Sequence, residues 1–154
     1  LILVRTLSKA LSSAGLRLGY TVASPNFIVE IQKITLPYLV NRFTMTALTY
    51  ALKDQEFLSF VDKSVAFVVK ERERLYRLLC TWTEKSQQIK VFPSMANFLL
   101  LTWQDSKYFF ASKEDLLSNG IHLRDVSQPS LPNSLRWTIG STEDNNKVLA
   151  VLLK

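Results

Sequence analysis

The spacing of apolar side chains changes near residue 89, and that change limits what the chain can fold into. From about residue 25 to residue 86 apolar residues recur at helical intervals. From residue 89 onward they fall in short runs, as strands do. The stretch 57–80 is the most regular. Phe57, Val61, Val65, Val68, Leu75 and Leu79 share one stripe, while Asp62, Lys63, Lys70, Glu73 and Arg77 fall largely off it. That pattern predicts a long helix packed through one apolar face. Pro25, with Ser24 before it as a cap, suits a first helical turn. Pro37 breaks the helical pattern, because proline offers no N–H and clashes with the turn before it.

The remaining elements follow from local signals. Residues 1–4 are an apolar run that reads as a strand, residues 5–15 are rich in small and hydroxyl side chains and read as a loop, and 16–23 reads as a second strand. After the helices, 89–92 and 97–103 read as strands, and 107–118 as a helix stopped by Asn119-Gly120. Residues 121–126 and 135–139 read as further strands. Ser141 caps a final helix with acidic residues in its first turn. An α/β chain is expected, with its second part a small α+β domain whose sheet is mixed or antiparallel.

Composition narrows the partners. The 154 residues include 47% hydrophobic side chains, too many for a disordered tail. A net charge of +6 raises the question of nucleic acid, but the densest charged run, Lys70-Glu71-Arg72-Glu73-Arg74, alternates in sign like a solvated helix face. No nucleic-acid partner is expected, and the excess charge can equally serve a phosphorylated or carboxylated small molecule. Apolar runs such as residues 65–69 are far shorter than a membrane span needs, and residues 1–4 lack the pattern of a signal peptide. Cys80 is the only cysteine, so no internal disulfide forms, and a reducing, cytoplasmic setting is expected. Cys80 and the single His122 do not make a zinc site, and no metal is expected.

Residues 6–20 carry the chemistry. Lys9 sits among small side chains that leave room for a flat group, with the hydroxyls of Thr6 and Ser8 beside it and Arg17 further on. An amine in such a place can lose its proton when desolvated and attack an aldehyde. Hydroxyls with an arginine suit a phosphate. On the residues alone, Lys9 is either a lysine of this kind, as in a pyridoxal phosphate site, or an ordinary surface lysine of a loop.

The run Thr6-Leu7-Ser8-Lys9-Ala10-Leu11-Ser12, with Gly15 after it, resembles the lysine signature of the fold-type I pyridoxal phosphate aminotransferases. Its continuation Ala14-Gly15-Leu16-Arg17, with Gly19-Tyr20, is similar to the histidinol-phosphate aminotransferases. Ala96-Asn97-Phe98-Leu99, the run from Gly120 to Asp125, and the run from Leu135 to Ser141 followed by Glu143-Asp144-Asn145 resemble further family segments, in family order. The resemblance implies that Lys9 holds pyridoxal 5'-phosphate covalently and moves the proton between substrate and cofactor. Thr6, Ser8 and Arg17 would hold the cofactor phosphate. Arg136 would sit at the substrate's acidic end, and Arg124 would help it bind a substrate phosphate. For both arginines a surface ion pair is the alternative.

Only eight residues precede Lys9, whereas the family's ring-binding Asp, Asn and aromatic side chains lie upstream of the lysine. The resemblance therefore implies a C-terminal part of an aminotransferase, inactive alone, with 1–36 from the large cofactor-binding domain and 37–154 a small domain with a long connecting helix. A homodimer is implied for the intact enzyme, with Lys9 exposed or disordered unless another chain covers it. Two other readings stay open: a phosphothreonine decarboxylase-like enzyme, and a non-catalytic small-domain interaction module.

Overall fold

The change of period at residue 89 is also a change of architecture in the computed structural model, which describes residues 1–86 and 88–153. The chain divides into two units, Leu1–Val65 and Ala66–Lys154.

In the first unit, β1 (Leu3–Thr6) and β2 (Gly19–Val22) form an antiparallel pair running from Leu3 opposite Val22 to Thr6 opposite Gly19. Gly19 is required by close approach, since a Cβ there would lie 2.7 Å from the Arg5 carbonyl oxygen. The second strand is shorter than the expected 16–23, because residues Ala14–Leu16 form a 3₁₀ turn and Arg17 is left-handed. The helical stretch breaks twice rather than once. Helix α1 (Pro25–Ile34) ends before Pro37, and α2 (Arg42–Ala51) starts where Asn41 Oδ1 accepts the Phe43 amide at 2.7 Å. Helix α3 (Gln55–Ser86) starts where Asp54 Oδ1 accepts the amides of Glu56 and Phe57. Such caps satisfy amides that have no partner inside the helix. Leu18, Thr44 and Val61 are buried, whereas Val4, Tyr38 and Phe43 stay exposed.

The second unit has the order read from the sequence: β3 (Ile89–Phe92), β4 (Phe98–Trp103), α4 (Ser106–Ser118), β5 (Arg124–Asp125), β6 (Ser134–Thr138) and α5 (Thr142–Leu152). The sheet runs β3-β4-β6-β5 and is antiparallel throughout. Alternation along β4 buries Leu99, Leu101 and Trp103. They pack with Leu135 and Trp137 of β6, Leu75 and Leu79 of α3, and apolar residues of α4 and α5.

The expected strand over 121–126 is reduced to two residues. Gly120, at φ 72°, turns the end of α4, and the Ile121 amide folds back to Leu116 O at 2.9 Å. This C-terminal cap uses the donor that a longer strand would need. Ile121 and Leu123 are instead half-buried against the core.

One buried amide ties the unit together. Asn145 Oδ1 accepts from Trp137 Nε1 at 3.2 Å and from the Gly140 amide at 3.1 Å. Its Nδ2 donates to Glu71 Oε1 at 3.1 Å and to Gly140 O at 3.0 Å. Glu71 also accepts from Arg74 Nε and Nη2. Burying a carboxylate is costly unless such bonds surround it. Replacing Asn145 with alanine orphans several of these groups at once, so Asn145→Ala is expected to cost about 3 kcal/mol. Urea unfolding followed by tryptophan fluorescence measures this, since Trp82, Trp103 and Trp137 all belong to the second unit.

Candidate functional site

The lysine loop spans residues 7–18, between β1 and β2. The Leu7 amide donates to Leu18 O at 3.1 Å, which closes its base. Ser13 Oγ donates to Leu7 O at 2.6 Å and braces the loop across its middle. The Ser12 amide donates to Lys9 O at 3.0 Å, and the Leu16 amide to Ser13 O at 2.9 Å. Ser12 and Arg17 adopt left-handed backbone, at φ 50° and 53°. Non-glycine residues hold that conformation only where surrounding bonds over-determine it. Behind the loop lies a cavity of about 420 Å³, lined by Leu11, Leu16, Ala47, Leu48 and Phe57 among others.

Lys9 is exposed on this loop, with no carboxylate in ion-pair range among the described residues. The structure brings Thr6 and Ser8 together. Thr6 Oγ1 donates to Ser8 Oγ at 2.9 Å and accepts the Ser8 amide at 3.2 Å. Thr6 thus spends its hydrogen locally, and the Ser8 hydroxyl hydrogen is free to donate outward. Arg17 uses one Nη1 hydrogen on Ala14 O at 3.0 Å, and its other N–H groups remain available. A primary amine, a free hydroxyl donor and a guanidinium on one braced loop fit an aldehyde that carries a phosphate.

The two candidate substrate arginines lie in the second unit. Arg124 of β5 stands directly opposite Arg136 of β6. The same register places Leu100 of β4 opposite Arg136, and Phe92 of β3 opposite Leu100. Phe92, Leu100, Arg136 and Arg124 therefore form one row across all four strands and share one face of the sheet. The Arg136 guanidinium lies over the Phe98 ring at 5.4 Å, and its buried Nε has no hydrogen-bond partner among the described residues. Neither arginine is ion-paired among the described residues, so the expected alternative of a surface ion pair finds no partner there. Two arginines in direct register, with no ion-paired carboxylate among the described residues, suit a doubly charged anion, since each can give two charge-assisted bonds.

Three supporting groups escaped the sequence reading. Phe98 lies within a quoted motif, but its place beneath Arg136 depends on strand register. Ser13 braces the lysine loop and had no signal beyond its small size. Asp125 follows Arg124 and accepts Lys113 Nζ at 2.7 Å and the Ser127 amide at 2.9 Å. The Lys113 bond, aided by Ser127, holds the Asp125 carboxyl down to about 2 from its ordinary 3.8.

Comparison with known proteins shows the family. The family described as aminotransferase class I and II matches residues 1–152. The histidinol-phosphate aminotransferase of Chlorobium limicola is 37% identical over 153 residues, covering 99% of this chain and 40% of that protein. A solved histidinol-phosphate aminotransferase from Sinorhizobium meliloti, in complex with pyridoxal-5'-phosphate, superposes with a TM-score of 0.71 at 27% identity. It covers 99% of this chain and 40% of its own. The L-threonine-O-3-phosphate decarboxylase of Porphyromonas gingivalis shares the fold, with a TM-score of 0.76 at 22% identity over 98% of this chain and 45% of its own. The chain thus spans about 40% of the length of the curated relatives it matches.

The carboxylates of the second unit give it a defined acid response. Glu71 is held below its usual 4.5, first by Arg74 and then by Asn145, against the opposing effect of burial. Asp125 is held down to about 2. A depressed carboxyl stabilises the fold above its unfolded value and loses that contribution as pH falls through its folded value. Tryptophan fluorescence in an acid titration is expected to stay flat above pH 4.5 and to report loosening between there and about 2. Asp125→Asn should flatten the lowest part of that curve.

Proposed function

This chain belongs to the aminotransferase class I and II family, and we propose on that premise that it carries two parts of a pyridoxal phosphate-dependent transaminase acting on histidinol phosphate with 2-oxoglutarate as the amino acceptor. Within this reading, 1–36 belong to a large cofactor-binding domain and 37–154 to a small domain with a long connecting helix. The observation that carries the substrate assignment is the couple Arg124 and Arg136 in direct register, neither ion-paired among the described residues. The exposed amine of Lys9, beside the Thr6–Ser8 hydroxyl pair, supports the cofactor assignment.

Pyridoxal 5'-phosphate supplies an aldehyde for the amino group and a ring that withdraws electrons. Lys9 Nζ is the group that would hold that aldehyde covalently. As a free amine, Lys9 Nζ would move a proton between the substrate α-carbon and the cofactor side. Ser8 Oγ and the free N–H groups of Arg17 would donate to the cofactor phosphate, and Thr6, whose hydroxyl hydrogen lies on Ser8 Oγ, would orient that donor. Arg136, held by the Phe98 ring rather than by a carboxylate, takes the substrate's anionic end, and Arg124 doubles the charge there. Because the pair suits a dianion, a phosphate monoester is favoured over a singly charged carboxylate. The intact enzyme would be a homodimer in a cytoplasmic, reducing compartment. Among the described residues no helix is long and apolar enough to cross a membrane.

Three outcomes test this reading. Borohydride reduction of the chain with pyridoxal phosphate is expected to fix label on Lys9, and Lys9→Ala to take none. An unlabelled wild type, or label spread evenly over surface lysines, counts against the cofactor site. The 154-residue chain alone is expected to show no turnover of histidinol phosphate with 2-oxoglutarate. In an enzyme that joins this chain to a complete large domain, Arg136→Gln should raise KM for histidinol phosphate about 100-fold, in line with the loss of a charge-assisted pair. A substrate panel that instead finds decarboxylation of phosphothreonine would replace the reaction but keep the arginine pair.

A further inference from the structure

The couple of Arg124 and Arg136 raises a physical problem that the lysine loop does not. Arginine keeps its charge at any working pH, and like charges directly opposite across an antiparallel pair repel. The strand that carries Arg124 is also the weakest in the sheet. It has two residues, sits at the edge, and is entered through the irregular segment 121–123. Repulsion between the two arginines works to drive this edge away from β6. Yet the register is kept, and the Val126 amide reaches Ser134 O at 3.0 Å.

Bonds centred on the next residue account for this. Asp125 Oδ2 accepts Lys113 Nζ of α4 at 2.7 Å, and Asp125 Oδ1 accepts the Ser127 amide at 2.9 Å. Ser127 Oγ in turn accepts the Ser134 amide of β6 at 3.0 Å. Asp125 therefore fastens the edge strand to the helix on one side and, through Ser127, to β6 on the other. Because side chains alternate along a strand, this anchoring leaves the arginine face free. Lys113 also lies over the Phe109 ring at 5.8 Å, and Phe109 is buried in the core.

We propose that Asp125 and Lys113 form a positioning pair that holds Arg124 in register with Arg136 while the anion site is empty, so that the site is ready before its ligand arrives. Neither residue touches the ligand. This inference rests on the reading of Arg124 and Arg136 as an anion receptor. It adds that part of the receptor's affinity resides in an ion pair on the opposite face of the sheet. A bound dianion and the ion pair oppose the same repulsion, so each makes the other less necessary for keeping the register.

The test uses the 154-residue chain, inorganic phosphate as the probe, and amide hydrogen exchange at Val126 as the readout of register. Asp125→Asn keeps the shape and a bond to Ser127 but loses the ion pair. It is expected to weaken phosphate binding about tenfold and to speed Val126 exchange about tenfold without phosphate. Saturating phosphate should restore protection in the variant, which a merely structural lesion would not allow. Exchanging the charges, Lys113→Asp with Asp125→Lys, should recover most of the lost protection. Unchanged phosphate affinity and unchanged Val126 exchange in Asp125→Asn overturn the proposal, as does lost protection that phosphate does not restore. Arg136→Gln separates the two ideas. If it leaves phosphate affinity intact, or if the wild-type chain takes up no phosphate, the receptor reading fails and this inference fails with it. If Arg136→Gln abolishes binding while Asp125→Asn changes nothing, only the positioning pair is wrong.

Discussion

The second unit is organised around the four hydrogen bonds of one buried amide, Asn145. Through them the helix that ends the chain holds the strand bearing Trp137, the turn at Gly140 and the carboxylate of Glu71 in α3. Arg136 is the neighbour of Trp137 on that strand, so its position is set from the core side by an amide it never touches. This division suits a binding strand. One face supplies a satisfied polar network and close apolar packing, which specify a single arrangement. The other face is left to carry charge.

Much of this was legible in the sequence, and the exceptions have physical causes. The helical stripe and the order of elements after residue 89 depend on local periodicity, which a linear reading captures. The second break at Asp54 was missed because the aspartate interrupts no apolar pattern; only its side-chain bonds to the next amides reveal it. The strand over 121–126 was overestimated because its apolar residues are core contacts made by irregular backbone.

The candidate site rests on residue type and motif. Lys9, Thr6, Ser8, Arg17, Arg124 and Arg136 were all singled out by residue type and motif. What a linear reading does not contain is register. That Arg124 faces Arg136, that Phe98 lies beneath a guanidinium, and that Asp125 reaches back to Lys113 across 12 positions all follow from strand pairing. Pairing is a long-range property, which a single sequence encodes only through the whole fold.

The left-handed residues of the lysine loop bear on mechanism. With the base of the loop closed from Leu7 to Leu18 and its span braced by Ser13, the backbone under Lys9 has little freedom of its own. Nearly all the travel of the amine must come from rotations about its four methylene carbons. A reagent that this nitrogen attacks must therefore be delivered within the radius of a single side chain, and stiffness of the anchor, rather than mobility of the loop, would determine how accurately the two atoms meet.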